Sequence, residues 1–238
     1  MENTHTFRSR GALLACIGLA VATTALSVMM AGEMSPGSAP MAEGFRTPML
    51  AFELARTEAD LAFLEGNGAE PLRAELEHMQ QLDAYFPFVY AGMLASLFLG
   101  LALAGRRVAW LGLVVALVVI PADLAENHFL DSMLRELAAG GAVGPLLDGL
   151  IASTSVKWGL IATSAGLFAH LMLGQRSFGR AVIGAATAVG WWLVLLLGAP
   201  GILAEIAGIL LFLFFVGVPF SAIVELRRAS SAPPQRRD

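Results

Sequence analysis

The chain has 238 residues, of which 57% are hydrophobic and only 14% charged, and its mean hydropathy is +0.70; a soluble domain carries about 25% charged residues. It therefore reads as an integral membrane protein. A net charge of -4, from 15 basic and 19 acidic residues, excludes the basic footprint of a nucleic-acid binder, and one cysteine, Cys16, excludes an intramolecular disulfide, a CxxC redox pair and any multi-cysteine metal site.

Residues 1–10 read as a short tail holding Arg8 and Arg10. Residues 11–32, "GALLACIGLAVATTALSVMMAG", suffice for a bilayer core of about 30 Å, which takes roughly 20 apolar residues. The run exceeds the roughly 7–15 apolar residues of a cleavable signal, and "VMMAGE" is a poor small-x-small cleavage site, so an uncleaved anchor is expected. "LLAC" at 13–16 has too little apolar chain before it to act as a lipoprotein box.

Residues 33–84 are more hydrophilic. They open with the Pro/Gly/Ser linker "GEMSPGSAPMAEG". In "FRTPMLAFELARTEADLAFLEG", Phe45, Met49, Phe52, Leu54 and Ala55 fall near helical spacing before an Asn-Gly turn at 67–68. "EPLRAELEHMQQLDAYFPF" then predicts a second helix, with Pro71 in its first turn, running straight into the next span. The pattern predicts two short amphipathic helices on the outer surface that tie two spans together, with a lid role as the alternative.

Residues 85–226 supply five more spans: about Phe86 to Ala104; from Val108 through "VIPADLAENHFL"; about Leu146 to Leu173; Ala181 to Leu197; and Ile202 to about Val224. Residues 227–238 form a basic tail. With the N-terminus inside, Arg8, Arg10, Arg106, Arg107, Arg176, Arg180, Arg227, Arg228, Arg236 and Arg237 all fall on the cytoplasmic side. Arg46, Arg56, Arg73 and Arg135 fall outside. That bias predicts an all-α, six-span bundle in the bacterial cytoplasmic membrane, with both termini cytoplasmic.

Ionisable residues gather toward the outer ends of the spans. Asp123, Glu126 and Asn127 are spaced i, i+3 and i+4 and share one helical face. Asp83 and Tyr90, seven apart, share another. Lys157, the only lysine, interrupts "IASTSVKWGLIATSAGLF", with Ser153, Ser164 and Thr154 beside it. A central lysine costs about 2.5–3.5 kcal/mol on insertion scales, so it requires a carboxylate partner. Asp123, just past Pro121 at similar depth, is the expected one, with Glu126 and Asn127 completing the network. Glu205, one turn into the sixth span, is placed at the same level. These groups predict an outward-facing polar pocket within spans two to five. The alternative is structural, an ion pair that fixes helix register.

Other signals are weaker. His128 lies near Asp123, Glu126 and Asp131, yet only His78 among the other histidines falls on the same side, so no metal site is predicted. "STSVK" places Thr154 where a serine–lysine dyad would have its nucleophile, and no oxyanion loop accompanies it. Trp191 and Trp192, and the small-residue run from Gly159 to Gly166, read as helix packing.

"LDAYFPFVYAGMLA", "PADLAENHFL" and "STSVKWGLI" together resemble a group of uncharacterised bacterial multi-spanning membrane proteins. In that group an Asp precedes a Phe-Pro-x-x-Tyr turn, Asp-x-x-Glu-Asn closes the next helix and a lone Lys follows. The resemblance implies that Asp83, Tyr90, Asp123, Glu126, Asn127 and Lys157 are signature positions, and it names no reaction.

The functional expectation is a protein that binds or transports a small amphiphile, lipid or proton. Asp123, Glu126 and Lys157 would be its reactive groups, and Asp83, Tyr90, Asn127, Ser153 and Thr154 its binding groups. The alternatives are an intramembrane lipid- or isoprenoid-modifying enzyme using a carboxylate acid/base, and a structural subunit of an envelope complex. No cofactor is expected. Expected partners are membrane lipid or a small amphiphile, with room for a homo-oligomer or another membrane protein.

Overall fold

The computed structural model describes residues 2–30 and 34–231; residues 31–33, at the end of the first expected span, and 232–238 of the tail lie outside the described residues. Among the described residues eight α-helices carry the fold: α1 (Glu2–Met30), α2 (Pro48–Glu53), α3 (Glu70–Asp83), α4 (Phe86–Leu103), α5 (Ala109–Ala139), α6 (Gly144–Gly174), α7 (Phe178–Leu196) and α8 (Gly201–Ser231). Six of them, α1 and α4 to α8, are long and apolar enough to cross a membrane, and no strand occurs among the described residues. The chain is an all-α helical bundle.

Helix ends follow local chemistry. Proline occupies the first turn of α2, α3, α4 and α6, where its missing N–H would have had no helical partner. α5 stops at Gly140, whose φ of 68° suits a left-handed cap. Gly141 N–H donates to Glu136 O (2.8 Å) and Gly140 N–H to Leu137 O (3.3 Å), the double bond pattern of a Schellman ending.

The spans pack in chain order, α1 on α4, α4 on α5, α5 on α6, α6 on α7 and α7 on α8. Contacts of α8 with both α1 and α4 close the ring. Exposed Leu111, Val114, Leu117, Ile209 and Phe212 face outward, as a surface meant for hydrocarbon does. Inside, Trp158 lies flat on Trp191 with ring centroids 3.5 Å apart. Gly159 faces Trp192, and Gly166 faces Ala188. The small residues therefore let α6 and α7 approach closely.

Residues 34–85 do not lie as loose helices on a surface. α5 and α6 each have 31 residues, about 46 Å at 1.5 Å per residue, and so outrun a core of about 30 Å. Their projecting turns present Leu130, Met133, Leu134, Leu137, Leu147 and Leu150, and these form a second hydrophobic core with Phe52, Leu61, Phe63, Leu64, Leu72 and Leu76. The expected first amphipathic helix is correspondingly short. Only Pro48–Glu53 is α-helical, and Glu58–Leu64 is a 3-10 helix whose start is held by Asp60 Oδ2 accepting from the Arg56 and Thr57 amides at 2.9 and 2.8 Å.

The expected continuous helix into span two is broken as well. α3 ends at Asp83, and α4 begins at Phe86 after a turn at 84–85. Pro87 has no amide to donate and its ring crowds the carbonyl four residues earlier, which favours the break here, although α5 and α8 run on through Pro121 and Pro219.

Candidate functional site: an ion cluster under a helical cap

Where the membrane core meets the second core, polar groups converge from α2, α3, α4, α5 and α6. Lys157 lies 13 residues into α6, about 20 Å along its axis, and is 4% exposed. Its Nζ is 3.2 Å from Glu53 Oε2 and also pairs with Glu126 Oε2; Glu126 is fully buried. The ammonium lies 4.5 Å from the Trp158 ring centroid, which adds a cation–π contact. Through the Trp158–Trp191 stack the cluster is braced against α7.

The expected Lys157–Asp123 pair is not formed. Asp123 and Glu126 share a face, yet three residues of helix turn the side chain by about 60°. Glu126 thereby faces α6 and the cap, while Asp123 faces α4 and accepts the Tyr90 hydroxyl at Oδ2. Tyr90 is held between Phe86 and Phe215 at centroid distances of 5.1 and 5.5 Å. Asp123 Oδ1 and Glu126 Oε1 are buried without a hydrogen-bond partner.

Glu53 is the residue that sequence reasoning missed. It ends α2, is 8% exposed, and its backbone carbonyl accepts Thr154 Oγ1 at 3.2 Å. Both ends of this residue are thus fixed to α6. A carboxylate inside "AFELA", on the apolar side of a short helix, was the available signal. Burial pushes the Glu53 carboxyl up, Lys157 pulls it down and Asp123 pushes it up again.

Asp83, half-buried at the end of α3, is pushed up to about 7, first by burial and then by the Asp123 carboxylate, against the pull of Lys157. Asn127 is beside it. Gln80, one turn back, is 4% exposed with both amide atoms unpartnered, and it also went unnoticed in the sequence.

Three residues weighed in the sequence lie apart from the ion pairs. Ser153 donates within its own helix to Gly149 O and Leu150 O at 2.8 and 3.1 Å. His128 is exposed and meets the Phe129 ring edge; among the described residues no group of three or more His, Cys, Asp or Glu could hold a metal ion. Glu205 binds the segment entering α2, accepting Arg46 N–H (2.8 Å), Thr47 N–H (2.7 Å) and Thr47 Oγ1 (2.9 Å). It lies at the α8 N-terminus, where the linker crosses, and anchors the cap instead of entering the cluster.

The expected open pocket is also absent at these residues. Asp123, Glu126, Asn127 and Lys157 are each no more than 7% exposed, and α2 closes over them. No family model, curated protein or solved structure matches the chain.

Proposed function

We propose that this is a multi-pass protein of the bacterial cytoplasmic membrane, both termini cytoplasmic, that binds or transports a small amphiphile, lipid or proton, with the Glu53–Asp83–Asp123–Glu126–Lys157 cluster as its proton-exchanging centre. One observation carries the reading: four carboxyl groups gather around one ammonium, and only two of them, Glu53 and Glu126, pair with it. Burying several unmatched charges costs several kcal/mol each. With Lys157 charged, neutrality is reached when three of the four carboxyls hold protons. Such a cluster takes up and releases protons as its surroundings change, and α2 is the element whose displacement would change them. Arginines at one end of the bundle favour the cytoplasmic placement of the termini.

The enzyme alternative draws on a different feature. A 390 Å³ apolar groove between α1 and α8 is lined by Phe215, which stacks on Tyr90. A lipid held there would lie one ring away from the Tyr90–Asp123 pair, which could then act as an acid/base.

The deciding experiment reconstitutes the full chain in vesicles and follows proton uptake after an acid jump. Wild type is expected to take up protons, and Glu126→Gln to lose most of the signal while remaining folded by circular dichroism. Wild-type vesicles indistinguishable from empty ones would sink the reading.

A further inference from the structure

A second feature, remote from the ion cluster, bears on the ligand. Between the end of α1, the linker 34–49 and α3 is a cavity of about 770 Å³, within the roughly 300–1,000 Å³ of small-molecule pockets. Met30, Met34, Met41, Met49 and Met79 line it, half of the ten methionines in the chain. Met30, Met34 and Met79 also line a neighbouring space of about 380 Å³, so these three form the wall between the two. Unbranched thioether side chains adapt their shape to an apolar guest.

The walls are built. Glu75 Oε2 and Oε1 accept the Ser35 amide and hydroxyl, both at 2.6 Å, and those bonds hold the Glu75 carboxyl below the usual range. Ser38 N–H donates to Phe63 O at 3.0 Å. A Cβ on Gly37 would lie 2.5 Å from that same oxygen, so the linker is pressed against the 3-10 helix. Among the described residues Arg46 is the one charged side chain on the lining. It is exposed, and among the described residues its guanidinium has no carboxylate partner. Met30 is the last described residue of a candidate span, which places the cavity toward the outer end of that span.

From this lining we infer that the cavity holds a single-chain anionic amphiphile of the long-chain carboxylate class, its chain among the methionines and its carboxylate on Arg46. A planar guanidinium suits a carboxylate, and a cavity of this size takes one chain. The inference rests on the reading of the protein as an amphiphile binder, and not on the protonation of the ion cluster.

The test is fluorescence titration of the full chain in nanodiscs with a long-chain polyene carboxylic acid and with its methyl ester. Saturable binding above that of empty nanodiscs is expected. Arg46→Glu should weaken the acid about tenfold and leave the ester unchanged, whereas Met41→Trp, which fills the cavity, should weaken both. Because Arg46 is exposed and its side chain has no partner among the described residues, its variant decides the matter even if the tryptophan variant fails to fold.

Binding no greater than in empty nanodiscs, or insensitive to Arg46→Glu, overturns the proposal. So does saturable binding of Ag(I) without binding of the acid, which would mark the thioethers as a soft-metal site. Proton uptake measured on the same preparation separates the two claims: binding without uptake removes the proton-exchanging centre alone, and uptake without binding removes this site alone.

Discussion

Lys157 holds one positive charge against Glu53 and Glu126, and its removal leaves both carboxyls facing each other without a cation. Breaking a buried pair costs about 3–5 kcal/mol, while apolar replacement of the whole set is often neutral. Lys157→Met is therefore expected to lower the melting temperature in detergent sharply, and Lys157→Met/Glu126→Leu to recover much of the loss; equal melting for wild type and the single variant would show that the pair contributes nothing.

Asp83 titrates in the opposite sense to an ordinary ion-paired carboxylate. Its folded-state value is raised to about 7, so the folded protein holds the proton more tightly than the unfolded chain. Its contribution is full below about pH 4 and is lost as pH rises through about 7. Asp83→Asn should flatten that dependence and stabilise the protein at pH 8 by on the order of 2 kcal/mol, partial solvent access having reduced the effect. Melting curves from pH 5 to 8 would check it. Asp83, Tyr90, Asp123, Glu126 and Lys157 could be picked out as candidates because ionisable groups in or beside apolar runs stand out. Their pairing was not, because a helical-face argument leaves the azimuth of Asp123 and Glu126 undetermined within about 60°.

At the scale of elements, the six long apolar helices were readable from apolar length alone, and Pro87 was a signal for the turn at 84–85 but not a sufficient one, since Pro121 and Pro219 lie inside helices. What sequence reasoning could not supply was the second core. The apolar residues of α5 beyond Asp123, such as Leu130, Met133 and Leu134, look the same in sequence whether they face lipid or a folded cap, so the partner of "MLAFELA" stayed hidden and with it Glu53. The cap is fastened at one side by Thr154 and Lys157 and at the other by Glu205. Glu205→Ala should increase hydrogen exchange of the amides at 46–55 while leaving those of α5 and α6 unchanged. Unaltered exchange at 46–55 would show that the Glu205 bonds contribute nothing to holding the cap.

For the molecule as a whole, the uneven distribution of arginine gives a directional prediction. In a Cys16→Ala background, Ala142→Cys should react with a membrane-impermeant thiol reagent in intact cells and Arg106→Cys only after lysis; the reverse pattern would invert the orientation. Both positions are exposed, so reactivity reports on sidedness and not on burial.

The crossing of the linker over α8 has a kinetic consequence. Gly44, at φ 86°, and Gly201 meet backbone to backbone: a Cβ on Gly201 would lie 2.5 Å from Phe45 N, and one on Gly44 would lie 2.7 Å from Ile202 N. Together with the Glu205 bonds, this ties the entry of α2 to the first turn of the last helix. Uncovering Lys157 then takes either a tilt of that whole helix or rupture of the tie. On the reading proposed above, the waiting time for such an opening would set the pace of proton exchange at the cluster.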